Sequence, residues 1–411
     1  MRVVILSLFI SGVASFAADT VFVSPTGNNS ATGVRNAPVA SLQVALERAR
    51  EHGAREILLS PGRYELTAPV QIRSEHSGTK ELPLVIRSQE PGKAVLSGGR
   101  QIKGWKRDEQ NRSVWRTTVS EVKDGGWEFR QLFVNGVRKT RARTPNSGFY
   151  RIQGPSPQDK PVKLKFKEGD IKKEWAERGD VEVVALLAWA DIRMQIRAVD
   201  EANNSATLSG EPRPSNRENN AQYWVENAPE FLDRAGEWYL DTKRGIVSYW
   251  AEDGEDLSQM EVIAPFLEEL IVLQGEAGKP VANVSFRGIE FSHTDWKLGP
   301  NGYADTQAAV ATKGEFRAEY AEDVRIEDCA FSHLAGYAID LGRGAKRFSV
   351  VGNELVDLGG GGIRIGETAI PKTAADECDT HTVTDNHMRA LGRVYPPAVG
   401  VFITPQSLRV S

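Results

Sequence analysis

Four stretches of the chain place apolar residues at the same two positions. In VSFRGIEFSH from Val284, VRIEDCAFSH from Val324, FSVVGNELVD from Phe348 and HTVTDNHMRA from His381, the third and eighth places hold Phe286 and Phe291, Ile326 and Phe331, Val350 and Leu355, and Val383 and Met388. The sixth place reads Ile289, Cys329, Asn353 and Asn386. Successive starts lie 40, 24 and 33 residues apart, and LRVS from Leu408 begins the pattern again after another 27. A constant core with variable inserts predicts stacked coils, each made of short strands joined by turns. Helical spacing does not fit these segments.

Three coils carry a further short strand: YAIDLG from Tyr337, GIRIGE from Gly362 and VGVFIT from Val399. Alternation turns Ile339, Leu341, Ile363, Ile365, Val401 and Ile403 inward and leaves Asp340, Arg364 and Phe402 as one outward column. The glycine run in LGGGGIRIGE (Leu358 to Glu367) sits between two strands of one coil, so it is read as a tight turn that needs positive φ. A phosphate-binding loop would need a helix after it, and IRIGETAIPKT is a poor helix.

Near the start, a strand and a Gly/Asn/Ser loop lead to an amphipathic helix from about Ser41, whose hydroxyl caps it. Such a helix covers the open end of a coil stack. Aromatic and charged residues then alternate from about Gln101 to Gln259, which predicts an inserted β-rich subdomain. Trp224, Trp238 and Trp250 read as its core. The predicted divisions are a signal peptide over 1–17, a cap and first coils over 18–100, the insertion over 101–260, and further coils over 261–411. The last coil stops early, so a longer parent protein is expected.

The leader MRVVILSLFISGVASFA has a basic start, an apolar stretch and a small-x-small site, which predicts export to the periplasm or beyond. No later stretch is long and apolar enough to span a bilayer. The chain carries 51 basic and 55 acidic residues, net −4. That balance gives no reason to expect nucleic acid or an anionic membrane, and it suits an uncharged partner better. Cys329 and Cys378 cannot staple a chain this long, and Cys329 reads as a small turn filler where other coils have Asn.

The segments VFVSPTGNNSATGVRNAPVASLQVALERA, RQLFVNGVRKTRARTPN, YWVENAPEFLDRAGEWYLD, VDLGGGGIRIGE and LGRVYPPAVGVFI resemble bacterial proteins of glycoside hydrolase family 141, in the pectate-lyase-like superfamily. The resemblance implies an all-β fold: a right-handed parallel β-helix with an N-terminal capping helix and an inserted β-rich subdomain. It also implies a hydrolase acting on plant or algal polysaccharide, fucoside- or xylan-type, with catalytic carboxylates. A polysaccharide lyase or epimerase and a non-catalytic carbohydrate-binding protein are the competing readings.

Glycoside hydrolysis needs two carboxyl groups about the scissile bond, and coils spaced about 4.8 Å apart bring acids of neighbouring layers into that range. Asp340 on the outward column, Glu367 just past the strand of Arg364, and Asp357 at the tenth place of the repeat are the candidate acids. Asp357 is in register with His293 and His333. Arg364, His293 and His333, with Trp296 and Tyr395 in the inserts, are candidate substrate-binding residues. Asp340 with Arg364 reads equally as a plain surface ion pair, and the His/Asp column as a turn-stabilising one. No cofactor is required. Asp376, Glu377 and Asp379, next to His381, offer calcium oxygen ligands without any EF-hand spacing. The expected partner is a polysaccharide or oligosaccharide substrate, and the protein is expected to be a monomer.

Overall fold

The computed structural model describes residues 20–156, 159, 161–211 and 217–404. The leader and the repeat start at Leu408 lie outside the described residues. The chain is nearly all β, with short helices at Leu42–His52, Ser120–Lys123 and Lys173–Arg178.

Three parallel sheets organise most of it. The first runs through Thr20–Val23, Glu56–Leu59, Leu84–Ser88, Val284–Arg287, Arg325–Glu327, Ser349–Val351 and Thr382–Thr384. The second holds Gly62–Glu65, Ala94–Ser97, Ile289–Ser292, Ala330–Ser332, Glu354–Val356 and His387–Arg389. The third holds Val70–Ile72, Ile271–Gln274, Gly314–Glu319, Tyr337–Leu341, Ile363–Ile365 and Val401–Ile403. The chain visits them in that order, so each pass adds one layer. Register follows the repeat: Phe286 pairs with Ile326, Ile326 with Val350, and Val350 with Val383. Phe291, Phe331, Leu355 and Met388 align likewise in the second sheet. Stacked identical places bury apolar side chains in continuous rows, which is what a layer too small for its own core requires.

The corners repeat as strictly as the strands. Asn283, Asp323, Arg347 and Thr380 enter the first sheet with positive φ. Gly288, Asp328, Gly352 and Asp385 do so between the first and second sheets. His293, His333, Asp357 and Ala390 do so after the second. The left-handed region favours Gly, Asn and Asp, and these types fill most of the corners. Just past the second set, Asn353 and Asn386 form a ladder. Asn353 Oδ1 accepts from Cys329 N at 2.9 Å, and Asn386 Oδ1 accepts from Asn353 N at 3.0 Å and Nδ2 at 2.9 Å. Both cysteines are free and buried.

The glycine run needs a different explanation from the predicted one. Gly359 to Gly362 are not among the positive-φ residues; Gly366 is, at φ 86°. What they lack is room. A Cβ on Gly359 would lie 2.2 Å from the Ala335 carbonyl oxygen, and one on Gly361 would lie 2.1 Å from the Tyr337 ring. Neighbouring layers approach closely there, so only glycine fits.

Ser41 accepts from Val44 N and caps the helix Leu42–His52, which buries Leu42, Ala45, Leu46 and Ala49 in the stack's core. Gly53 in the left-handed region ends it.

The chain leaves the stack after Ala94–Ser97 of the second sheet and returns at Ile271–Gln274 of the third. The intervening segment is therefore one very long second-to-third connection. Gly99–Gln101 pairs with Val262–Pro265 at its root, holding entry and exit together. Beyond the root lie largely antiparallel sheets with their own cores, one around Trp115, Trp238 and Tyr249 and another around Val183, Met194 and Tyr223. The stack also lends a strand: Tyr303–Ala304, from the next second-to-third connection, pairs with Asp191–Asp200 of the insertion. That shared sheet fixes the insertion over one corner of the stack.

Candidate active site

The outward column exists, with Asp340 paired to Arg364 and Arg364 to Phe402, but it is not on the surface. Asp340 is only 1% exposed. Arg364 donates from Nε to Asp340 Oδ1 at 2.9 Å and from Nη2 to Oδ2 at 2.6 Å. Arg364 Nη1 also donates to the Val310 and Thr312 carbonyls at 2.6 and 3.1 Å. The insert before Gly314–Glu319 thus lies over the pair. The reading of Asp340 as an accessible acid, and of Arg364 as a substrate ligand, is corrected to a buried bidentate ion pair that pins this insert. Beside it, Glu315 is buried and accepts from Gly336 N at 2.6 Å; burial pushes its carboxyl up to about 8.

Glu367 is half-buried and lines a separate hollow of about 90 Å³ with Arg343, Lys372, Asp376 and Cys378. Asp357 precedes the strand Ile363–Ile365 and Glu367 follows it, so the strand stands between these two candidate acids. Asp376 is taken by Tyr320 and Thr373. Among the described residues, no group of three His, Cys, Asp or Glu side chains could hold a metal ion.

The remaining candidates gather at the corner under the insertion. His293 and His333 stack at 5.1 Å, and Phe133 of the insertion packs on both, at 5.2 and 4.7 Å. Burial drives His293 well below its ordinary range and His333 down to about 4, the latter opposed by Asp357. Both are thus neutral packing groups, which corrects their reading as substrate ligands. Asp357 receives Arg138 Nε at 3.1 Å and Arg393 Nε at 3.2 Å, so it anchors two arginines rather than standing free as a catalytic acid.

Those arginines belong to a cavity of about 180 Å³ between the insertion and the stack. Its wall presents Arg130, Arg138, Arg141, Arg143, Arg193 and Arg393, together with Lys139, against the single acid Glu226. Trp224 and Trp296 supply flat apolar faces. Trp224, read as subdomain core, instead lines this space under the guanidinium of Arg143 at 4.6 Å. Trp296 lines it as well, with Arg130 at 5.0 Å from its ring. Tyr395 packs edge-on behind Trp296 at 5.4 Å and is buried, so it positions the tryptophan instead of meeting a ligand.

Acids stand behind the arginines. Glu182 Oε1 accepts from Arg130 Nη2 at 2.8 Å and Arg141 Nη2 at 3.2 Å. Glu226 accepts from Arg141 at 3.0 Å and from Trp224 Nε1 at 3.0 Å; burial would raise its pKa, but Arg141 and Arg193 outweigh it and hold the carboxyl low. Asp295 is pushed by burial up to about 7, despite accepting from Arg130 N, Trp296 N and Gln131 Nε2. Asp191 is likewise raised by burial to about 6, opposed by Arg193. One carboxyl held ionised at the wall and another poised near neutrality behind it is the arrangement that acid/base chemistry uses. Sequence reasoning missed Glu226 and Asp295 because neither lies in the repeat that guided the search. Four arginines packed between Arg130 and Arg143 were the available signal.

Residues 112–252 match the family model described as the GH141 insertion domain. The chain carries a GH141 insertion domain. Ten of the thirteen residues lining the cavity fall inside that match, so the wall is chiefly the work of this GH141 domain. A solved structure titled "Glycoside hydrolase" superposes with a TM-score of 0.80 at 26% identity, covering 94% of this chain and 76% of that one. The structure titled "The complex structure of XylC with xylose" shares the fold, with a TM-score of 0.52 at 13% identity over 94% of this chain and 57% of that chain. Pectate lyase PEL9 of Emericella nidulans (strain FGSC A4) is 32% identical over 144 residues, 33% of this chain. The match spans about a third of that curated relative's own length, 33%. The resemblance to glycoside hydrolase family 141 within the pectate-lyase-like superfamily therefore stands. Among the described residues, no helix is long and apolar enough to cross a membrane.

Proposed function

We propose that the protein is an exported carbohydrate-active enzyme, a glycoside hydrolase acting on plant or algal polysaccharide, and that its three parallel sheets are the faces of a right-handed β-helix. The observation that carries this reading is the cavity under the GH141 domain. There an ionised carboxylate, Glu226, lines the wall with Trp224 and Trp296, and a carboxyl raised to about 7, Asp295, lies buried behind it. The acid at the leaving oxygen is assigned to Asp295, whose Oδ1 accepts from Trp296 N at 2.9 Å and Gln131 Nε2 at 3.2 Å and is to reach the cavity when the Gln131 side chain turns aside. Glu226 serves as base or nucleophile, and the surrounding arginines stabilise charge that develops at the ring. Beside the cavity runs a groove of about 660 Å³ that includes Trp127, Glu268 and Lys297. It adjoins the cavity wall through Glu128, which pairs with Arg130 at 2.7 Å, and offers a path for the rest of a glycan.

The test is hydrolysis of fucosylated and xylan-type oligosaccharides by the full-length protein, followed by release of reducing ends. Glu226→Gln and Asp295→Asn are each expected to lower kcat by roughly 10²- to 10⁴-fold. Unchanged turnover in both variants would move the chemistry elsewhere.

The match to a pectate lyase, together with the cation-lined wall, favours one second reading: β-elimination on a uronate, with an arginine as base. Among the described residues no side-chain cluster suits calcium, so this reading takes its charge neutralisation from the arginines. Ultraviolet absorbance from an unsaturated product would identify it, and sugar binding without any product would leave a non-catalytic binder.

A further inference from the structure

The net charge of −4 conceals a local excess of donors. Seven basic side chains and one acid face the junction cavity; the acid, Glu226, pairs with Arg141 and Arg193, and the other carboxylates that neutralise the wall lie behind or outside it. Several donors of these residues are buried and unused. Arg130 Nε, Arg141 Nε and Trp296 Nε1 are buried without a hydrogen-bond partner. Arg143 gives Nε to the Pro145 carbonyl and Nη2 to the Gly148 carbonyl, and forms no ion pair among the described residues. Arg393 pairs with Asp357 through Nε at 3.2 Å, with its side chain half exposed at the rim. Buried donors left unmade are costly, and a guanidinium edge is shaped for a carboxylate or another planar or tetrahedral oxyanion.

We propose that the cavity binds a sugar bearing an anionic group, a uronate carboxylate or a sulfate ester, whose oxygens are received by Arg143 and Arg393. This rests on the carbohydrate reading above and narrows it: the substrate is an acidic glycan, not the uncharged one that the overall composition suggests. Arg143, held over Trp224 at 4.6 Å, is a specificity residue contributed by the insertion. Arg393 is its counterpart contributed by the stack, so the anion bridges the two parts.

The experiment is calorimetric titration of the full-length protein at low salt with uronate-bearing oligosaccharides, their carboxyl-reduced neutral counterparts, and sulfated oligosaccharides of the same length. Reduction of the carboxyl is expected to weaken binding roughly tenfold or more, as losing one charged hydrogen-bond pair would. Arg393→Gln, at the exposed rim and so safe for folding, should remove most of that difference, and Arg143→Gln the remainder. A stronger response to sulfated than to uronate ligands keeps the anionic class and assigns the ester. Equal binding of acidic and neutral ligands by the wild-type protein overturns the proposal, as does full discrimination in the double variant. Hydrolysis of neutral glycans without any anion preference would sink this inference and leave the hydrolase reading intact. Anion-selective binding without products would do the reverse.

Discussion

In the stack, Phe291 lies on Phe331 at 4.9 Å with the rings 19° apart, and Leu355 takes the same place one layer on. In the insertion, the interior beside the cavity is Arg130, Arg141 and Arg193 among Glu182, Glu226 and Asp191. Both regions exclude water, yet their energetics differ in kind. Apolar rows stabilise in proportion to the area they bury. Buried ion networks contribute little net stability, because desolvation cancels most of the attraction. On the proposed reading, the network beside the cavity holds charge ready for a ligand, and the stack is the frame that keeps it in place.

Changes of residue can break or sharpen this contrast. The largest effect is expected on activity: Glu226→Gln should cost orders of magnitude in kcat while shifting the thermal midpoint little, since the amide keeps the carboxyl's shape and Arg141 and Arg193 keep Glu182 and Asp191 as partners. In the stack the opposite is expected. Phe331→Ala should leave a cavity between layers and cost about 3–5 kcal/mol of stability by denaturant titration, with KM unchanged in the folded fraction. Breaking the network from the cationic side should hit both: Arg141→Met leaves Glu182 to Arg130 and Glu226 to Arg193, costing about 1.5–3 kcal/mol and weakening substrate binding. Asn353→Ala removes a ladder member and should cost about 1–3 kcal/mol. Ser41→Ala, at the helix cap, should cost about 1 kcal/mol.

Acidity distinguishes buried groups of opposite sign. Glu315 keeps its proton in the fold up to about 8, whereas the unfolded chain releases it near 4.5. Its contribution is therefore complete below the lower value and lost as pH rises through the higher one. His333 behaves oppositely: with a folded value of about 4 against an ordinary 6.5, its contribution is present above 6.5 and lost as pH falls to about 4. Urea midpoints across this range should fall at both ends. Glu315→Gln should flatten the alkaline side alone.

The repeat was legible because each layer meets the same packing problem, so the answer recurs at fixed places: Phe286, Ile326, Val350 and Val383 align as their positions in the pattern require. The corner column of His293, His333 and Asp357 was legible for the same reason, though its left-handed turns and burial make it architecture. The site was not legible in this way. Asp340 faces out of its sheet, as alternation demands, and only the insert from the preceding layer turns that outward face into an interior. Likewise the arginines from Arg130 to Arg143 stood plainly in the chain, but nothing local said that they would meet Trp296 and Arg393, more than 150 residues away.

What the chain alone determined was the period: which residues point inward, where turns fall, and how the helix after Ser41 begins. These depend on alternation, sterics and capping, which act within a few residues. What only the tertiary structure decided was exposure and charge environment, for these depend on which distant segment lies overhead. Burial of Asp340, the low carboxyl of Glu226 and the raised one of Asp295 all come from neighbours that sequence spacing does not reveal.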